Sequence, residues 1–109
     1  MTEQQKENVR KWVAALRSGK YEQGQKRLRS MSNKFCCLGV ACDLYDPEKW
    51  VPIEDLDSVR HLGHGARPDF DVLDYFGLDE DTIIPLMQMN DAEGATFNQI
   101  ADYIEAKLL

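Results

Sequence analysis

The sequence predicts a mainly α, single-domain protein over residues 1–109: a small helical bundle around a buried central helix, with an irregular middle segment and a short strand. Three observations carry that expectation. Each end of the chain places apolar residues at the i, i+3, i+4, i+7 spacing of an amphipathic helix, behind a capping box. Between them lies FCCLGVACDLY, apolar on every side until Asp43, which as a helix must be enclosed by others. Segment 46–68 holds three prolines and few periodic apolar positions, so it should leave regular structure. With 109 residues, 43% of them hydrophobic, there is material for one core. A chain of that size buries roughly 60 to 70% of its unfolded surface.

Taken in order, Thr2 with Gln5 opens a helix near 3–18, on which Val9, Trp12, Val13 and Leu16 share a face and which Gly19 stops. Phe35 to Tyr45 reads as about three helical turns ended by Pro47, although Gly39, Val40 and the cysteines keep a strand open as the alternative. Within the irregular 46–68 segment, Trp50 to Ile53 is the candidate strand. Asp69 can cap a short helix carrying Phe70, Leu73 and Phe76, ended by Gly77 with Leu78 folding back. Thr82 or Asp81 can cap the next, through Met89, which places Pro85 in a first turn where its missing N–H is harmless. Asn90, Asp91 and Gly94 turn the chain, and Thr96 with Gln99 opens a last helix over 97–108 on the stripe Phe97, Ile100, Ala101, Ile104, Leu108.

The net charge of −6 hides a division. Residues 1–34 hold nine Lys/Arg against three Glu, whereas residues 35–109 hold four basic against sixteen acidic side chains. The basic excess concentrates between Arg17 and Lys34 and can steer an anionic partner to one side of the molecule. The acidic remainder repels phosphates, which argues against direct nucleic-acid binding. No segment approaches the roughly 18 to 20 apolar residues of a membrane span, and MTEQQKENVRK lacks the apolar stretch of a secretory signal. The expected location is therefore the cytoplasm, with no membrane partner.

The strongest candidate site is the glycine-containing loop from Ser18 to Ser30. Arg17, Lys20, Arg27 and Arg29 offer charge, Tyr21 a stacking surface and Gln23 an amide, and the Asn90–Asp91 turn could form an opposite wall. This is the chemistry of a phosphate-bearing ligand, without the spacing of a P-loop or a dinucleotide fingerprint. The competing reading is a solvated loop whose arginines pair with acids of the same chain. Cys36, Cys37 and Cys42, an odd and closely spaced set in an apolar run, read as buried reduced thiols. They lack a C-x-x-C pair to join loop residues His61 and His64 in a zinc site. A calcium loop fails because Met89 and Ile100 would fall at its first and last ligand positions. No metal, no cofactor and no catalytic constellation is expected, and the reading is non-enzymatic.

Three segments, WVAALRSGKYEQG, FCCLGVACDLY and MNDAEGATFNQIADYIE, resemble in the same order a set of small uncharacterised proteins recurrent in bacteriophage and bacterial genomes. The matching positions include Arg17, Ser18, Gly19, Tyr21, Gln23, Asn90 and Asp91, and residues 46–80 stay largely unmatched. The resemblance implies an accessory protein of a phage or mobile element working in a bacterial host, and carries over no active site. The expected function is stoichiometric binding of a host protein, with the acidic C-terminal two-thirds docking on a basic surface. The alternative is binding of a phosphorylated small ligand, such as a nucleotide signal, through the basic 17–29 loop.

Overall fold

The computed structural model describes residues 1–53 and 58–109. Among these residues five helices carry the fold: α1 Glu3–Arg17, α2 Cys37–Tyr45, α3 Phe70–Phe76, α4 Glu80–Asp91 and α5 Phe97–Leu108. Among the described residues two small sheets join them, β1 (Glu22–Gln23) parallel to β2 (Lys34–Phe35), and β3 (Trp50–Ile53) antiparallel to β4 (Ser58–His61), with a 3-10 turn at Pro47–Lys49. The architecture is a mainly helical single unit around α2, whose Leu38, Val40, Ala41 and Cys42 have no exposed surface.

Local chemistry sets most boundaries. In α1 the Thr2 hydroxyl accepts the Gln5 N–H at 3.0 Å while the Gln5 side chain accepts the Thr2 N–H at 2.8 Å, and the same reciprocal box, Thr96 with Gln99, opens α5. Gly19 (φ 76°) and Gly77 (φ 69°) supply the left-handed residues that end α1 and α3. Leu78 folds back as expected, its N–H on the Leu73 carbonyl at 2.8 Å. Burying the stripe Val9, Trp12, Val13, Leu16 against Ile100, Ala101 and Ile104 brings the terminal helices together. The Trp12 indole N–H reaches the Cys37 carbonyl at 2.9 Å, so the largest buried side chain is satisfied and α1 is tied to α2.

Several expectations need correcting. The central helix begins at Cys37, because Cys36 is its N-cap, with extended backbone and a sulfur that accepts the Gly39 N–H at 3.3 Å. Phe35 instead pairs with Gln23 in the parallel ladder. Helix α4 is capped by Asp79, whose carboxylate accepts both the Thr82 N–H and hydroxyl, so Pro85 lies in the helix interior and deprives the Asp81 carbonyl of its ladder partner. Residues 46–68 are more regular than their prolines suggest, since they hold the whole β3–β4 hairpin. His61, expected in a loop, is fully buried in β4, its Nε2 bonded to the Asp46 carbonyl at 2.8 Å.

The hairpin register explains Pro52. The pairs Trp50↔His61 through Ile53↔Ser58, continued by the Leu62 N–H to the Lys49 carbonyl (3.5 Å), put Val51 and Ile53 at positions that exchange ladder bonds with β4. The main-chain groups of Trp50 and Pro52 therefore face away from β4, where a missing N–H disrupts nothing. The chain then reverses through Leu62 (φ 50°) and Gly63 (φ 84°), two successive left-handed residues that bring His64 back against His61. This is the geometry usually given to Asn-Gly, and a leucine holds it at a steric penalty.

Of the glycines, Gly39 has the tightest surroundings. A Cβ there would lie 1.8 Å from the Leu28 carbonyl oxygen and 2.7 Å from its carbonyl carbon. The same carbonyl accepts the Cys36 N–H at 3.2 Å, so the loop backbone rests directly on the first turn of α2. Because the obstacle is backbone, no rotamer change relieves it. Gly39→Ala is expected to destabilise the protein by about 3 kcal/mol or more, whereas Gly94→Ala, with nothing near its Cβ, carries only the left-handed strain of about 1 to 2 kcal/mol; urea denaturation of both variants checks the difference.

Candidate functional site

The basic loop does meet Asn90 and Asp91, which are the last two residues of α4 and not a turn beyond it, and what they build is a clamp. Asn90, 1% exposed at the end of α4, accepts the Gln23 side-chain amide at 3.0 Å and the Cys37 N–H at 3.2 Å. Its own amide donates to the Gly24 carbonyl and to the Asp91 carboxylate, each at 2.8 Å. Asp91 also accepts the Lys26 N–H at 2.8 Å, which holds Lys26 in the left-handed region at φ 70°. Gln23 is held a second time, by the Ala95 carbonyl at 2.8 Å. Each donor and acceptor of the Asn90 amide is thus engaged inside the molecule, binding loop, α2 and α4 into one unit.

The remaining candidates point in different directions. Arg17 donates to Asp102 at 2.7 Å and to Glu105, spanning α1 and α5 on the surface. With Tyr21 and Gln23 it lines a depression of about 250 Å³ beside the start of α5. Lys20 lies with Tyr21 on another, of about 410 Å³, against Ala15 and Leu44. Arg27 borders a third, of about 260 Å³, with Gly24, Ser30, Ser32 and Lys34. Arg29 belongs to a fourth, also about 260 Å³, with Met31, Trp50, Pro52 and Val59. Asn90 and Asp91 line none of these four.

The fourth depression is a groove along the hairpin, and of the residues that line it the sequence singles out only Arg29 as a site residue. Its walls are Arg29 with Met31 on one side and Trp50 with Pro52 on the other. The Arg29 guanidinium carbon lies 5.1 Å from the Phe35 ring centre and 5.3 Å from that of Trp50, and its hydrogen bonds go to the neutral Asn33 amide oxygen at 2.6 and 3.1 Å. Trp50 is fixed in turn by Asp43, which accepts its indole N–H at 3.0 Å and the Tyr21 hydroxyl at 2.6 Å. Burial, the Asp43 hydrogen bond and the Asp43 charge together push the Tyr21 phenol well above its ordinary value. The one available signal was a proline inside a candidate strand, which marks an edge.

The cysteines are structural in their surroundings. All three are free and buried, and burial pushes the Cys36 thiol from 9.0 up to about 12, with Cys37 and Cys42 raised as well. Among the described residues no group of three or more His, Cys, Asp or Glu is placed to hold a metal ion, and no helix is long and apolar enough to cross a membrane.

Two expectations follow. Asn90→Ala leaves the Cys37 N–H and the Gly24 carbonyl without their partner and should lower stability by about 3 kcal/mol, read by chemical denaturation. For Cys36, a pKa raised in the folded state means that only the unfolded chain ionises between pH 9 and about 12, so stability is full below that window and falls as pH rises through it. Denaturation at stepped pH should show that decline, with a shallower slope in Cys36→Ala.

No curated protein and no solved structure matches the chain. Residues 1–66 match the family model described as Domain of unknown function (DUF8296), a stretch that runs from α1 through the clamped loop and α2 to the far side of the hairpin. Loop, central helix and hairpin groove therefore all fall within the matched stretch, which covers more than half of the sequence, and the chain belongs to that family.

Proposed function

We propose that this protein is a non-enzymatic binding module that acts stoichiometrically on a partner protein, as an accessory protein of a phage or mobile element in the cytoplasm of a bacterial host. The observation that carries this reading is the hairpin groove, where an arginine stacked on aromatic rings, a tryptophan and a 40% exposed methionine lie side by side. Arg, Trp and Met are enriched in protein interfaces, and buried Trp and Arg anchors commonly dominate their energetics. The acidic residues fit less well as the docking surface. Asp69 and Asp79 cap helices, Asp102 and Glu105 pair with Arg17, Glu80 pairs with Arg67, and Asp43 and Asp91 hold the loop.

A second reading, binding of a phosphorylated small ligand, draws on the depression where Arg27 and Lys34 face Ser30 and Ser32. It is weakened by the scatter of the basic side chains over separate depressions. A nucleotide and pyrophosphate panel that leaves the melting temperature unmoved at millimolar ligand removes it.

The two readings separate in one comparison. A partner retained from bacterial lysate by the wild-type chain should bind Arg29→Glu and Met31→Glu about 30-fold more weakly, as expected for a hot spot of about 2 kcal/mol. Arg27→Glu should bind like wild type. Titration calorimetry or surface plasmon resonance, on variants of matched melting temperature, reads the result. Equal binding by all three variants would falsify the groove as the interface.

A further inference from the structure

We infer that the partner supplies an extended segment that adds to β3 as a new antiparallel or parallel strand, with an acidic side chain directed at Arg29; this rests on the partner-binding reading. Among the described residues β3 has β4 as its only strand neighbour. The far edge of β4 is already closed, because the Val59 N–H goes to the Arg29 carbonyl at 2.9 Å and the His61 N–H to the His64 carbonyl at 2.8 Å. The register leaves the Trp50 N–H, the Trp50 carbonyl and the Pro52 carbonyl directed away from β4. That edge offers a short ladder of two acceptors and one donor.

Pro52 also decides against a second copy of this chain as the occupant. If two β3 edges paired antiparallel with Trp50 opposite Pro52, each pair would lack the bond that the proline nitrogen cannot donate, and half the ladder would be missing. A foreign strand with an N–H opposite each carbonyl loses only the single bond that Pro52 cannot donate.

Charge points to the chemistry of that strand. Of the four basic residues in 35–109, Lys49 and Arg60 lie on or beside the hairpin, and Arg29 reaches over it. Among the described residues none of these three bonds an acidic side chain. On the groove face an incoming strand runs beside Trp50 and Pro52, with the Arg29 guanidinium lying 5.3 Å from the Trp50 ring centre, which suits a carboxylate. On the other face it runs beside Val51, 58% exposed, with Arg60 opposite in the ladder. The fitting segment is therefore a short extended run in which aliphatic residues alternate with Asp or Glu.

The probe is a library of random decapeptides displayed and selected on the full chain. Selected peptides should carry that alternation, bind Arg29→Glu or Arg60→Glu at least tenfold more weakly, slow hydrogen exchange at the Trp50 amide, and lose binding when N-methylated at the amides facing β3. Peptides that need Arg29 yet leave Trp50 exchange unchanged overturn strand addition while sparing the groove as an interface. Peptides indifferent to both charge reversals, or no enrichment at all, overturn the inference and the groove together. Arg60 is half-exposed and without a charge partner among the described residues, so its reversal keeps the test sound if Arg29→Glu fails to fold.

Discussion

The Leu28 carbonyl oxygen lies where the β-carbon of any residue but glycine would stand at position 39, and the rest of the arrangement follows from that seating. With the loop backbone against the first turn of α2, the Leu28 carbonyl caps Cys36, Leu28 enters the core, and Arg29 is carried over the hairpin to close the far edge of β4. The chain between α1 and α2 is thus a packed layer. Its Gly24, Lys26, Leu28 and Ser30 N–H groups go to the Phe35 carbonyl, the Asp91 carboxylate, the Gly65 carbonyl and the Lys34 carbonyl, which lets an irregular segment lie against a buried helix.

This packing also resolves the uneven charge. The basic third of the sequence is α1 with the loop that follows it, and the acids that answer it are scattered. Asp91 holds the loop through its backbone rather than its cations, and Asp43 binds two neutral donors, the Tyr21 hydroxyl and the Trp50 indole. Arg17 meets the carboxylates of Asp102 and Glu105 directly, at a surface where such bonds contribute little. Much of the positive charge therefore stays at the surface, divided over several faces instead of focused on one cleft.

What was legible in the sequence was local. Thr2 with Gln5, Thr96 with Gln99, and Gly77 act within a turn of their own position, and the helices they bound stand where periodicity placed them. Asp79, Asp81 and Thr82 were all competent caps, and only packing selects among them. Asn90 looks like any turn residue, since its partners at 23, 24 and 37 lie more than fifty positions away. Only half of the hairpin was legible, since Trp50 to Ile53 reads as a strand whereas its partner Ser58–His61 lies in a stretch without periodic apolar positions. The groove combines residues from both sides of α2, and no window of sequence contains it.

The pairing of the terminal helices has a bearing on how the molecule is made. Arg17 and Asp102 stand 85 residues apart in the chain, and the apolar face of α1 is covered by α5. During synthesis Trp12 and Leu16 emerge long before Ile100 and Ile104, so α1 can dock on α2 yet must wait for its second neighbour. Contacts this distant in sequence slow folding, and an uncovered stripe invites aggregation meanwhile. The matched family segment, residues 1–66, ends before either α4 or α5 is made, so the stretch shared with relatives is finished as a sequence well before it is finished as a core.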